Sequence, residues 1–251
     1  METPIATARN DKPGRRVHSI GRHQPKQAWR QLPNVTFRRT PTIYGLKPKF
    51  QASLRPLVRN LAYLGVTANQ VTWFACALSV GFGLLLSSRP HSRPLLLLFP
   101  VLLLFRMALN AMDGMLAREF GQKSELGAYL NELCDVVSDV FLYLPFVFLA
   151  EFDSPWMVSV IALGVISEMA GTVAVMTGAS RRYDGPAGKS DRAFVFGVLA
   201  LWREFGWSIR PWASYLFPRL MTLLLVATVI NRVRSGLAET RVAAANGDID
   251  D

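Results

Sequence analysis

The sequence predicts an all-α protein: a polytopic membrane bundle of about six transmembrane helices behind an N-terminal amphipathic interfacial helix. Three observations carry this. Hydrophobic residues make up 51% of the 251-residue chain and charged residues only 18%, below the roughly 25% usual in soluble domains. Six apolar stretches, near residues 69–88, 93–117, 126–150, 155–178, 190–206 and 211–231, approach the roughly 20 residues that cross a hydrocarbon core. Charge is also segregated: residues 1–60 hold 13 Lys and Arg against Glu2 and Asp11, a net of +11, while the remaining residues hold 15 against 16, a net of −1. These values exclude an ordinary soluble enzyme and a disulfide-stapled secreted domain. The two cysteines, Cys76 and Cys134, lie in apolar segments and read as buried core thiols.

Residues 1–44 form a basic arm rich in Arg, Pro, Gln and Thr, a composition that predicts disorder. No short apolar core of a cleavable signal peptide lies in residues 1–40. Over residues 45–64, Phe50, Leu54, Leu57, Val58 and Leu61 recur at helical spacing, with Lys49, Arg55 and Arg59 elsewhere. That pattern suits a helix lying on an anionic leaflet, kinked or interrupted by Pro56. The membrane domain is expected over 65–235, with a short polar tail over 236–251. The fifth span is the weakest, only residues 193–202 being free of charge, so five spans or a re-entrant fifth element is the alternative count. With the N-terminus inside, the inner flanks receive the arm, Lys123, Arg181, Arg182, Lys189, Arg232, Arg234 and Arg241, which places both termini in the cytoplasm by the positive-inside rule. Trp156, Trp202, Trp207 and Trp212 then lie near outer ends, where amphipathic rings settle.

Ionisable residues deep in a bilayer cost roughly 2.5–3.5 kcal/mol each on the insertion scale and usually face the bundle interior or water. Here they are aligned. Arg106, Asn110, Asp113 and Ala117 follow one helical stripe, and Gly127, Asn131, Asp135 and Asp139 follow another on the next helix. Joined by a short turn, the two helices aim oxygen ligands at one cavity near the cytoplasmic surface. Such oxygen-rich sites favour hard divalent cations, Mg²⁺ or Mn²⁺. From spacing alone, interhelical salt bridges through Arg106 and Arg118 explain the pattern equally well. Glu168 is a separate intramembrane acid that needs a Ser, Thr or Arg partner or a function.

Residues 113–135, DGMLAREFGQKSELGAYLNELCD, resemble the signature of the CDP-alcohol phosphatidyltransferase family, D-x2-D-G-x2-A-R-x8-G-x3-D-x3-D. Asp113, Gly114, Ala117, Arg118, Gly127 and Asp135 match in register. Ordinary residue frequencies would produce such a match by chance on the order of one time in 100,000. The GVTANQVT stretch at 65–72 is similar to the family's entry into its first membrane helix. Two positions depart: Asn110 and Asn131 stand where the family has its first and third aspartates. Asp139, one turn beyond Asp135, restores one carboxylate on the same stripe.

The resemblance implies transfer of a substituted phosphate, phosphatidyl from CDP-diacylglycerol first of all, to an alcohol with release of CMP. It implies Mg²⁺ or Mn²⁺ held by Asp113, Asp135 and Asp139 with Asn110 and Asn131. It gives CDP and phosphate binding to Gly114, Ala117, Arg118 and Gly127, and the general base to Asp135, with Asp139 as rival. Arg181, Arg182, Lys189 and Arg192 are candidates for an acceptor or lipid phosphate, an ordinary positive-inside loop being the other reading. The expected partners are the CDP-linked lipid donor, a small alcohol acceptor and membrane lipids, with a homodimer as the family's common assembly and no nucleic acid. The expected location is a cell inner membrane, with the active site and both termini on the cytoplasmic side. An inactive member that still binds nucleotide or lipid, and a small transporter, are the alternative readings. The carboxylates near one membrane surface and the absence of an internal repeat weigh against the transporter.

Overall fold

The computed structural model describes residues 46–205 and 211–247. The basic arm expected over 1–44 and Trp207 lie outside them. Among the described residues the chain forms seven α-helices: α1 (Leu46–Tyr63), α2 (Ala68–Ser88), α3 (Arg93–Glu119), α4 (Glu125–Tyr143), α5 (Ser154–Met176), α6 (Lys189–Glu204) and α7 (Pro211–Gly247), with a 3₁₀ turn at Leu144–Phe148 after α4. Local chemistry sets several starts. Thr67 and Gln70 cap α2 reciprocally, Gln70 N–H donating to Thr67 Oγ1 and Thr67 N–H to Gln70 Oε1. Ser124 accepts the Gly127 N–H at the start of α4. Pro94 and Pro155 sit in the first turns of α3 and α5, where a missing N–H costs nothing.

The six apolar stretches each correspond to a helix after α1, but only four of those helices, α2, α3, α5 and α7, are long and apolar enough to cross a membrane alone. The expected count of six spans is therefore met by length and composition in only these four. α4 carries Glu125, Glu132, Asp135 and Asp139, and α6 has 16 residues and opens on Lys189, Asp191 and Arg192. Both depend on neighbouring helices to receive their charges. α1 continues through Pro56 without interruption. Val58 is fully buried and Leu54 and Leu61 pack with it on the α3 residues Leu109, Met112 and Met115, so contacts on both sides of the proline hold the helix together. α7 runs to Gly247, well past residue 235, where the sequence places the end of the membrane domain.

α2 and α4 run parallel and touch at matched intervals. Asn69 lies over Gly127, the Cys76 thiol pairs with Cys134, and Gly83 abuts the Phe141 carbonyl. Both cysteines are buried, as expected of core thiols. The spacing of these contacts, about seven residues, is that of a left-handed coiled coil. Gly83 permits the tightest of them, because a Cβ there would stand 2.1 Å from the Phe141 carbonyl oxygen.

The half of the bundle away from α1 is an aromatic core. Tyr143 stacks on Phe196 at 4.3 Å between ring centres, and Phe146 meets Phe99 edge-on at 5.3 Å. Ion pairs close that end: Arg93–Glu204 at 3.1 Å, Arg203–Glu151 at 3.0 Å and Arg219–Asp153 at 2.7 Å. Large apolar residues such as Val101, Leu104 and Leu223 are exposed on the flanks, as a lipid-facing surface requires.

The α2–α4 seam predicts the outcome of a small substitution. Gly83→Ala forces a backbone displacement and lowers stability by about 1–3 kcal/mol, toward the upper end because a carbonyl cannot rotate away. Gly81→Ala, with nothing within 4 Å of its Cβ, leaves stability level or slightly raised. Thermal midpoints of the two variants in detergent check the contrast.

Candidate active site

The signature residues gather where the end of α3 meets the start of α4. Asp113 is buried at 5% exposure and its Oδ2 accepts the Thr72 hydroxyl from α2 at 2.8 Å. Asp135 faces it from α4. Asp135 Oδ1 accepts Asn110 Nδ2 at 2.9 Å and stands 2.5 Å from Lys189 Nζ, at the first residue of α6. Arg106 donates to the Asp135 carbonyl at 3.1 Å and reaches Oδ1 at 3.4 Å. Asn131 is half-buried, and among the described residues its side chain makes no hydrogen bond. Arg118 is exposed and, among the described residues, has no polar partner. Its guanidinium lies across Gly114, where a Cβ would meet Nη2 at 3.0 Å. Ala117 packs into the cluster shared by α1 and α3, and Gly127 makes room for Asn69.

Asp139 sits one turn deeper, in a clamp of two arginines. Arg106 Nη1 is 2.9 Å from its Oδ1 and Arg192 Nη2 donates to its Oδ2 at 2.8 Å. The contact to Oδ1 lacks the alignment of a hydrogen bond, leaving that oxygen held by charge alone. Arg192, 1% exposed, also donates to Glu168 Oε1 at 3.2 Å, Ser167 Oγ at 3.3 Å and the Ala187 carbonyl at 3.2 Å. Arg232 of α7, equally buried, donates to the Ser167 carbonyl and lies 3.4 Å from Glu168. Arg181 pairs with Glu132 at 2.6 Å and approaches Glu168 at 3.6 Å. Arg182 points away from all of these, to Asp184 at 2.7 Å and Glu239 at 2.7 Å. Burial alone would depress the Arg182 pKa; Asp184 and Glu239 more than offset it and hold the guanidinium charged.

The ion pairs expected along the stripes form through Arg106, with Arg192 where Arg118 was expected; among the described residues Arg118 pairs with none of the aspartates. Asn110 and Asp113 lie beside Asp135, which Arg106 and Lys189 also reach, while Asp139 is held by Arg106 and Arg192. The four basic candidates of the α5–α6 segment also separate. Arg181 and Lys189 reach the carboxylates of α4, Arg192 is enclosed in the bundle and Arg182 turns to α7. Three partners carry no assigned role in the sequence pattern. Thr72 sits in an apolar helix with no marker of its role, and Glu132 lies off the carboxylate stripe. Arg232 was readable only as a flanking charge, although a buried Glu168 demands a cation from somewhere.

Among the described residues no three acidic, histidine or cysteine side chains converge as a ready metal cluster. The donor set does fit one hard divalent cation: two carboxylates and two amides supply oxygens. Among the described residues Asp135 Oδ2 accepts no hydrogen bond and the Asn131 amide has no partner.

A model of the CDP-alcohol phosphatidyltransferase family matches residues 65–233, which include all of these groups except Glu239. The chain belongs to the CDP-alcohol phosphatidyltransferase family. It is 45% identical over 197 residues to the inner membrane protein YnbA of Escherichia coli (strain K12), covering 78% of this chain and 96% of that one. The phosphatidylinositol phosphate synthase of Corynebacterium glutamicum is 34% identical over 101 residues, 40% of this chain and 44% of that protein. The archaetidylinositol phosphate synthase of Pyrococcus horikoshii is 34% identical over 95 residues, 38% of this chain and 47% of that protein. Among solved structures, the Mycobacterium tuberculosis phosphatidylinositol phosphate synthase in complex with manganese and citrate superposes with a TM-score of 0.61 at 22% identity, covering 72% of this chain and 88% of that one. The same enzyme with CDP-DAG bound gives 0.58 at 23% identity, with 74% and 92% covered. These likenesses establish the fold shared by family members, and the apolar helices make this an integral membrane protein.

The arginine clamp generates a stability prediction. Asp139→Asn leaves Arg106 and Arg192 facing each other across a neutral amide, and the cost is about 3–5 kcal/mol. Thermal unfolding in detergent should show a large drop; a variant as stable as the parent would mean the clamp carries no net pairing energy.

Proposed function

We propose that this family member transfers a phosphatidyl group from CDP-diacylglycerol to the hydroxyl of a phosphorylated polar alcohol, releasing CMP, at the cytoplasmic mouth of an inner-membrane bundle. The observation that carries the reading is Arg118: an exposed guanidinium without a protein partner among the described residues, laid across Gly114 one turn from Asp113. A pyrophosphate supplies the concentrated negative charge that such a free fork binds through paired hydrogen bonds. Gly114 lets phosphate oxygens approach the backbone there, whereas the room at Gly127 is taken by Asn69 and Ser124.

Asp135 is the general base. Asn110, Arg106 and Lys189 all engage its Oδ1 side, which leaves Oδ2 for the acceptor proton. The acceptor oxygen attacks the phosphatidyl phosphorus, the bond from that phosphorus to the CMP oxygen breaks, and the hydroxyl proton passes to Asp135. Thr72 fixes the rotamer of Asp113 from α2. Asn110, Asp113, Asn131 and Asp135 would hold one Mg²⁺ or Mn²⁺, with Asp139 kept close behind them by its arginines. The ion, when bound, supplies charge stabilisation for the departing CMP phosphate.

Arg181 and Lys189 are the two basic side chains of the α5–α6 segment that reach this mouth, at 22% and 28% side-chain exposure. They favour an acceptor that itself carries a phosphate, in keeping with the names of two partial relatives, a phosphatidylinositol phosphate synthase and an archaetidylinositol phosphate synthase. The cytoplasmic placement follows from the basic flanks at this end of the helices. A second reading draws on Asn110 and Asn131: with two carboxylates fewer than the family signature, the site would bind nucleotide without turning it over.

Purified protein incubated with radiolabelled CDP-diacylglycerol, Mg²⁺ or Mn²⁺, and glycerol 3-phosphate, inositol phosphate, inositol, serine or choline separates these readings. The expected result is metal-dependent CMP release, abolished by chelator, fastest with a phosphorylated acceptor, and reduced about 100-fold or more in Asp113→Asn and Asp135→Asn. Arg118→Ala should raise the KM for the CDP-lipid. Retained nucleotide binding with no CMP from any acceptor would establish the non-catalytic reading.

A further inference from the structure

The family match ends at residue 233, yet α7 continues to Gly247 and carries Glu239 to the α5–α6 connection. Glu239 Oε1 accepts the Ser180 backbone N–H at 3.0 Å, and Oε2 accepts the Ser180 hydroxyl at 2.8 Å and Arg182 Nη1 at 2.7 Å. One carboxylate therefore binds the two residues that flank Arg181. Residues 180–184 have no helical structure, and in an extended segment successive side chains leave on opposite sides. Ser180 and Arg182 go to α7. Arg181 and Tyr183 go the other way, together: Arg181 Nη1 donates to the Tyr183 hydroxyl at 2.9 Å and the guanidinium lies 4.8 Å from the ring centre. From there Arg181 Nη2 reaches Glu132, three residues before Asp135 on α4.

The segment is fixed from a second side as well. The Arg182 N–H donates to the Gly171 carbonyl of α5 at 3.2 Å, and a Cβ on Gly171 would come within 2.6 Å of the Arg182 carbonyl oxygen. Backbone contact to α5 sets how deep the segment lies, but it does not by itself choose which side chains face inward. A slip of one residue would exchange the two faces and turn Arg181 away from α4. The pairing of Ser180 and Arg182 with a single acid on α7 selects the register in which Arg181 faces the mouth.

We propose that Glu239 is a positioning residue for the acceptor: by clasping Ser180 and Arg182 it holds Arg181 toward the phosphate of the incoming alcohol, and so sets acceptor affinity without touching substrate. This rests on the enzyme reading given above. Glu239 is a third exposed and lies on α7 beyond its core residues Met221 and Leu225, so its substitution is compatible with a folded protein.

The test compares the full-length parent with Glu239→Gln, Glu239→Asp and Ser180→Ala in detergent, using whichever of glycerol 3-phosphate and inositol phosphate the parent turns over faster. Glu239→Gln should raise the acceptor KM about tenfold while kcat and the KM for CDP-diacylglycerol stay level. Glu239→Asp should recover part of the loss, and Ser180→Ala should lie between. Hydrogen exchange over residues 178–188 should quicken in Glu239→Gln with the remaining helices unchanged. An unchanged acceptor KM, or kcat and both KM values moving together, overturns the positioning role while the enzyme reading stands. No CMP from the parent overturns the enzyme reading, and the inference falls with it.

Discussion

Asp139 is enclosed between guanidinium groups from α3 and α6, and the geometry of the site depends on that enclosure. A charge taken out of water into a helical bundle must be matched at short range, since removing one partner strands the other. Here the matching propagates. Arg106 bridges Asp139 to Asp135, Arg192 bridges Asp139 to Glu168, and Arg232 brings α7 to the same Glu168. Five helices each contribute a charge whose partner lies on another helix, so their mutual rotation is fixed by electrostatics where apolar packing alone would tolerate slippage. Asp135 inherits its position from this network, one turn nearer the surface. The aromatic cluster around Phe99, Phe146 and Phe196 fills the opposite half, where ion pairs such as Arg93–Glu204 and Arg219–Asp153 stand only at the far end.

Counting formal charges sharpens the picture of the mouth. Asp113, Glu132, Asp135, Asp139 and Glu168 stand against Arg106, Arg181, Lys189, Arg192 and Arg232, an even balance reached without Arg118. Arg118 is consequently a surplus positive charge at the surface, and surplus charge is what an anionic ligand can use. The replacement of two family aspartates by Asn110 and Asn131 belongs to the same balance. Two further carboxylates beside Asp113 and Asp135 would need two further cations, or more metal charge, to be held there.

Helix positions were legible because apolar runs of membrane length leave little freedom, and α2, α3 and α5 begin and end within a few residues of those runs. The carboxylate site was legible because DG-x2-AR and the four-residue steps on α4 place side chains by helical geometry alone. Outside helices that logic stops. Arg181, Arg182, Lys189 and Arg192 form one basic cluster in the sequence, but in an extended segment neighbouring side chains diverge, and once α6 begins the direction changes again. Their different environments follow from partners far along the chain, Glu132, Glu239, Asp135 and Asp139, which no local pattern specifies. Pro56 shows the converse: a local rule argued for a break in α1, and burial of Val58 against α3 outweighed it. The shortfall in independently apolar spans has a similar origin, since α4 and α6 are stable in the bundle through the acids and arginines that make them poor spans in isolation.

The matched contacts along α2 and α4 also bear on how such a protein can diverge. Asn69 with Gly127, Cys76 with Cys134 and Gly83 with Phe141 keep one constant offset along the chain. Inserting or deleting a single residue in either helix would rotate everything beyond it by about 100°, and would carry Thr72 away from Asp113 or Asp135 away from Asn110. Length changes in this lineage are therefore expected to collect in the connections and at the chain ends. Glu239 lies in such a place, on the part of α7 beyond the family match at residue 233, while the paired helices are held to a fixed count.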